Sequence, residues 1–201
     1  MKAFAAVLVT LLAATATADD AINCTGVWSP TTSEAALVRQ YGRANVVRGP
    51  VYVAEGNETR GTIVFPKDEA KRVEIVWRNS RQYQRPEWIR VPAGSRWTTF
   101  AGIRNGTSLA DVEKLNGKPF QLSGFDWDFG GLVTDWRKGA LAKLGVPCSL
   151  QVRFDRTIPD RATAVQQRAA DATSGERDLL SSSPDLRRFP VQVNEIVIQY
   201  R

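Results

Sequence analysis

The stretch GIRNGTSLADVEKLNGKPFQLSGFDWDFGGLVTDW, residues 102–136, carries the clearest succession of helix and strand signals in the chain. Gly106 and Thr107 break the preceding segment. Ser108 is placed to accept from the free amides of a first helical turn, and Asp111 three residues later completes a capping-box pattern. Leu109, Val112 and Leu115 recur about once per turn, giving an apolar face opposite Asp111, Glu113 and Lys114. Asn116, Gly117 and Pro119 then stop the helix, with Gly117 supplying the left-handed residue at its end. Strand is expected next. Phe120 and Leu122 alternate with polar residues, and an extended 125–129 would put Phe125, Trp127 and Phe129 on one face and Asp126 and Asp128 on the other. Gly130-Gly131 is a hairpin signal, and 132–136 reads as the returning strand.

An earlier part of the chain repeats this design. Residues 32–37, ending at Tyr41-Gly42, match 107–112, ending at Asn116-Gly117, with the Thr, Ser, Ala and Gly in register. Val46-Val47 and then 61–65 stand where Phe120, Leu122 and 131–133 stand in the second copy. Helix and hairpin signals alternate without the crossover lengths that a parallel sheet needs. The expected fold is therefore α+β: two tandem helix-plus-antiparallel-meander units, 19–100 and 101–201, with their helices packed on antiparallel sheet.

Further elements follow the same periodicity. Residues 51–53 and 62–65 read as strands separated by a polar loop at 55–60, and Val73, Ile75 and Trp77 form the return strand after the 66–69 turn. The connector 78–96 mixes Tyr83 and Trp88 with Arg81, Arg85, Arg90 and Arg96. That mixture suits an exposed recognition surface, while Ile89 and Val91 ask for a buried strand. Leu150, Val152 and Phe154 mark another strand. Residues 156–183 turn polar and read as an exposed insertion with a frayed helix near 162–170. Ile196, Ile198 and Tyr200 then close a sheet.

At the other end, the apolar run 3–12 after Lys2 and the Ala16-Thr17-Ala18 motif resemble a secretory signal peptide over 1–18, too short to span a bilayer. The mature protein is expected outside the cytoplasm, periplasmic or secreted. Ala21-Ile22-Asn23 before Cys24 do not match a lipoprotein leader, and no later run reaches membrane length. In an oxidising compartment the two cysteines, Cys24 and Cys148, read as one disulfide. The formal charge of +6, one less once Lys2 leaves with the leader, favours anionic surfaces such as envelope polymers. Nucleic acid fits poorly, because basic residues are scattered among acids and form no dense tract.

The chain contains no histidine, which removes the commonest general base, most zinc sites and every Ser-His or Cys-His relay. Asp126 and Asp128, two apart on a strand, would be compatible with paired-carboxylate glycoside cleavage. With Asp135 they would also suit calcium, and they equally suit an ordinary half-solvated sheet. Phe125, Trp127, Phe129 and Trp136 invite sugar stacking but are better used filling a core. The opposite face then collects Asp126, Asp128, Asp135, Gln151, Arg153, Glu195 and Gln199. Asp126, Asp128, Trp88 and Arg90 are the residues expected to bind a partner there, with no catalytic residue, metal or cofactor called for. Three sequons, beginning at Asn23, Asn57 and Asn105, matter only in a eukaryotic secretory path, and the Ala-rich leader looks bacterial.

GIRNGTSLADVEKLNGKPFQLSGFDWDFGG looks like the signature of a family of exported bacterial proteins with no assigned activity, and TIVFPKDEAKRVEIVW resembles its earlier segment. That likeness covers much of the mature chain and implies no catalytic residues. The GTSLADVEKLNGKP helix also resembles that of the β-lactamase inhibitor protein fold and of the small lipoprotein of the outer-membrane β-barrel assembly machine. The chain departs from the lipoprotein in lacking a lipid-accepting cysteine, and its first copy lacks the full motif. The resemblance implies helices combined with antiparallel meanders and a function of binding other proteins, most simply an envelope protein. The competing class is a small histidine-free, carboxylate-dependent hydrolase or a carbohydrate-binding protein.

Overall fold

The computed structural model describes residues 21–54 and 56–201; the expected signal segment 1–18 lies outside them. Helix α1 (Glu34–Tyr41) starts where the Ser33 hydroxyl accepts from the Ala36 amide at 3.3 Å and stops at Gly42, whose φ of 83° only glycine adopts freely. Helix α2 (Leu109–Asn116) is the expected one. Ser108 Oγ accepts from the Asp111 amide at 3.1 Å and donates to the Asp111 carboxylate at 2.6 Å, and Gly117 supplies the left-handed C-cap. No helix among the described residues is long and apolar enough to cross a membrane.

Strands β2 (Val46–Ala54), β3 (Asn57–Val64), β4 (Val73–Asn79) and β5 (Gln84–Val91) form an antiparallel meander. It is continued by β11 (Val191–Tyr200), which also pairs with β9 (Cys148–Arg156), giving the antiparallel order β2-β3-β4-β5-β11-β9. One sheet thus runs across the expected boundary at residue 100. Period-2 alternation puts Val73, Ile75, Ile89, Val91, Val152, Phe154, Ile196 and Ile198 on one face, all buried. Leu37 of α1 and Leu109 and Val112 of α2 belong to the same apolar cluster. The fold is α+β with antiparallel main sheets. A three-stranded antiparallel sheet orders β10 (Asp178–Leu180), β7 (Gln121–Ser123) and β8 (Val133–Asp135), and β1 (Ala21–Ile22) pairs in parallel with β6 (Thr98–Thr99).

Three segments differ from the sequence expectation. The β2–β3 hairpin is longer, since the polar residues 57–60 are strand and the turn contains Gly56 at φ 74°. Residues 156–183 contain the helix expected near 162–170, as α3 (Ala164–Ala172) with Thr163 and Gln166 in a capping box, but the segment is not an exposed loop: Ala169 and Ala170 are buried, and β10 pairs with β7. Residues 125–129 are not strand. The Phe125 amide donates to the Thr173 carbonyl and its carbonyl accepts from Gly175, both at 2.8 Å, so its pairing capacity goes to the loop after α3. Asp126 follows at φ 66°, and the chain turns back as Ser123 Oγ donates to the Phe129 carbonyl. Of the aromatics assigned to the core, Phe125 is buried, Trp127 and Trp136 are half-buried, and Phe129 is exposed.

The buried Arg156 side chain holds this turn. It donates to the Ala170 carbonyl at 2.9 Å, to Ser174 Oγ at 2.8 Å, to Thr173 Oγ1 and to the Asp126 carboxylate, with its guanidinium 5.0 Å from the Phe125 ring centroid. The N-terminal segment is stapled in two places. Cys24 and Cys148, both buried, form the expected disulfide with Cα atoms 6.4 Å apart, and the Tyr200 hydroxyl donates to the Trp28 carbonyl at 2.5 Å.

A disulfide spanning 124 positions restricts the unfolded chain strongly, so reduction should lower stability by about 4 kcal/mol in the chain-entropy picture. Urea unfolding with and without reductant measures it. Burial pushes the Tyr200 hydroxyl above its ordinary value. A group whose pKa is raised by folding adds stability below its unfolded pKa, about 10, and loses it as pH rises through the folded value. Stability should therefore fall above about pH 10, and Tyr200→Phe should remove that part of the decline while costing about 1 to 2 kcal/mol at neutral pH for the orphaned Trp28 carbonyl.

Candidate functional site

The face of the six-stranded sheet opposite the core is assembled by register. Trp88 and Arg90 on β5 stand beside Gln199 and Val197 on β11, which stand beside Ser149 and Gln151 on β9; Glu195 faces Arg153. Two walls rise from this floor. In the first, Gly49 and Gly61 face each other across β2 and β3. A Cβ on Gly61 would collide with the Ile75 carbonyl and the Val51 side chain, so glycine lets buried Val51 lie over this point and brings Tyr52 and Val53 to the wall. The second wall is the 126–132 turn, which contributes Asp128, Phe129 and Leu132. It is tied to the edge of β9 through the Phe154 amide, which donates to the Gly131 carbonyl at 2.8 Å. Between the walls lies a trough of about 190 Å³.

A chain of ion pairs runs into its floor from β4 and crosses it. Arg72 Nε donates to Glu74 Oε1 at 2.8 Å and Arg90 Nε to Glu74 Oε2 at 2.9 Å. Arg90 then reaches Glu195 at 3.4 Å, Glu195 lies 3.7 Å from Arg153 Nε, and Arg153 donates to the Asp128 carbonyl at 2.8 Å. Glu74 is 4% exposed, while the Arg90 guanidinium sits 5.3 Å from the Tyr52 ring centroid. Of the charged groups lining the trough, Arg90 and Arg153 balance Asp128 and Glu195. The result is a set of planar donors and acceptors with no net charge, with Trp88 on the floor and Tyr52 and Phe129 on the walls.

Three of the four residues singled out from the sequence, Trp88, Arg90 and Asp128, line this trough. Asp126 does not. Once 125–129 becomes a turn the two aspartates no longer share a strand face, and the Asp126 carboxylate accepts from Arg156 and from Ser174 Oγ at 2.7 Å. The calcium arrangement dissolves for the same reason. Asp135 accepts from the Arg137 amide at 2.6 Å, and no group of three metal-ligating residues converges among the described residues. Sequence reasoning did not single out Tyr52 or the Glu74 that holds Arg90, and it assigned Phe129 to the core, whereas Phe129 is exposed on the trough wall. The Gly49 and Gly61 pair was the available signal for Tyr52, since paired strand glycines mark a close backbone approach.

Removing the Glu74 charge would leave Arg90 with its main partner gone in a poorly solvated place. Glu74→Gln should therefore lower unfolding stability by about 3 kcal/mol, whereas Glu195→Gln, a longer and more exposed pair, should change it by less than about 1 kcal/mol; urea titration of both variants measures the contrast. Comparison of the chain with protein-family models, with curated proteins and with solved structures finds no match.

Proposed function

We propose that this chain is an exported, non-enzymatic, inhibitor-like binding module of the cell envelope, and that its protein partner docks over the trough. The observation that carries this reading is the convergence of Trp88, Arg90 and Asp128 with Tyr52 and Phe129 on one concave face. Aromatic residues and arginine dominate binding hot spots, and here Tyr52 is 41% and Phe129 37% exposed on opposite walls. In this reading residues 19–100 and 101–201 are two related helix-plus-meander units. Their helices cover one side of the shared sheet, leaving the other to a partner. A glycan is the second reading, favoured by the cancelling charges of the lining and by the three aromatic rings, which suit a neutral polyhydroxylated ring.

The test is capture from envelope extract on the immobilised mature protein, comparing wild type with Trp88→Ala and Phe129→Ala. Both variants should keep their thermal midpoint within a few degrees and lose about tenfold or more in partner affinity. Retention of the partner by both variants would refute docking at the trough. Release of the captured material by soluble neutral oligosaccharide would transfer the site to the glycan reading.

A further inference from the structure

The positive excess of the chain is not spent in the trough, whose lining charges cancel. Part of it gathers around a second depression of about 850 Å³, built from the 102–107 loop and the exposed side of α2. Arg96, Arg104 and Lys114 line it, and Arg96 also lines a neighbouring hollow with Lys71. All four are exposed. Among the described residues none of them makes an ion pair. The single acid in the lining, Asp111, already accepts from the Ser108 hydroxyl.

The backbone carrying these cations is held in place. Asn105 Nδ2 donates to the carbonyls of Pro92 at 2.7 Å and Ser95 at 3.0 Å, the Arg96 amide to Ala70 at 2.8 Å, and the Gly106 amide to Val193 at 2.8 Å. Preset positions reduce the ordering cost of holding an anionic ligand. The depression has more than four times the volume of the trough, and Leu115 is its one large apolar wall. Such a lining suits an extended, hydrated chain bearing repeated negative charges. It does not suit a compact apolar molecule.

We infer that this surface binds an acidic polysaccharide, with Arg96, Arg104 and Lys114 taking successive anionic groups, independently of whatever docks at the trough. The shared chemistry is a carboxylate or a phosphate group repeated along a flexible polymer. Counterion release makes such binding weaken with salt, and three contacts on a single-stranded polyanion correspond to a slope of about 2 in log K against log salt.

The experiment compares the wild-type protein with Arg96→Gln/Arg104→Gln/Lys114→Gln and with Arg39→Gln/Lys143→Gln/Arg161→Gln, which removes the same charge elsewhere. Each is titrated with polygalacturonate, polyphosphate, neutral dextran and phosphatidylglycerol vesicles from low to moderate salt. The first variant should bind polygalacturonate or polyphosphate about tenfold or more weakly and lose about 2 units of salt slope, while the second stays near wild type. Whichever polymer binds tighter identifies the anionic group. Equal losses in both variants would mean that only net charge matters, and vesicle binding without polymer binding would mean a lipid surface; either overturns the inference. Dextran should not bind.

Discussion

Strand β11 is the constraint on which the rest depends. Its residues 196–199 pair with β5 and its full length pairs with β9, so the last strand of the chain joins the meander built early to the strand that follows the disulfide. Its alternation then separates two environments. Ile196, Ile198 and Tyr200 are buried, and Glu195, Val197 and Gln199 form the middle of the trough floor. A one-residue slip in this strand would exchange those sets, so the core that stabilises the molecule also fixes which side chains the trough presents. The central floor of the site therefore inherits the rigidity of the sheet.

The second wall depends on a different interaction. Arg156 ends β9 with its side chain turned to the core side, where a guanidinium is tolerated because carbonyl, hydroxyl and carboxylate acceptors surround it. Those acceptors belong to the end of α3 and to Asp126. One arginine thus fastens the helix of the polar insertion and the turn that carries Asp128 and Phe129. Asp126 contributes to the trough through position, by holding the turn, while its own carboxylate faces away from the trough.

Much of the architecture was readable from local pattern because local pattern decided it. The Ser108 and Gly117 caps, the alternation in β9 and β11, and the pairing of the two cysteines all act over short range or by elimination. The same alternation placed Trp88 and Arg90 opposite Ile89 and Val91. Where the reading failed, long-range partners overrode a valid local signal. Residues 125–129 alternate as a strand should, but Phe125 finds its backbone partners near 173–175, almost fifty residues on, and no period in the sequence contains that fact. Within residues 156–183 the helix near 162–170 was legible, but its packing was not, because Ala169 and Ala170 are small residues that can be buried without a large apolar stripe. Tyr52 was not legible as a wall residue because its place depends on two glycines, Gly49 three positions before it and Gly61 nine positions after it, that meet only across the hairpin.

The trough floor has an energetic logic of its own. A buried carboxylate such as Glu74 is costly unless paired, and with Arg72 and Arg90 both donating to it, the arrangement adds little net stability over an apolar floor of similar volume. What it supplies is position. Arg90 is held by Glu74 from below, by Glu195 at its side and by the Tyr52 ring above, so a long side chain with several rotatable bonds has few alternatives left. Any group that contacts such an arginine would not have to order it first, which lowers the entropic cost of the contact. Arg153, tied to the Asp128 carbonyl and only loosely to Glu195, is held by fewer contacts. The floor therefore combines one immobilised cation with one able to adjust, between walls that carry exposed aromatic surface.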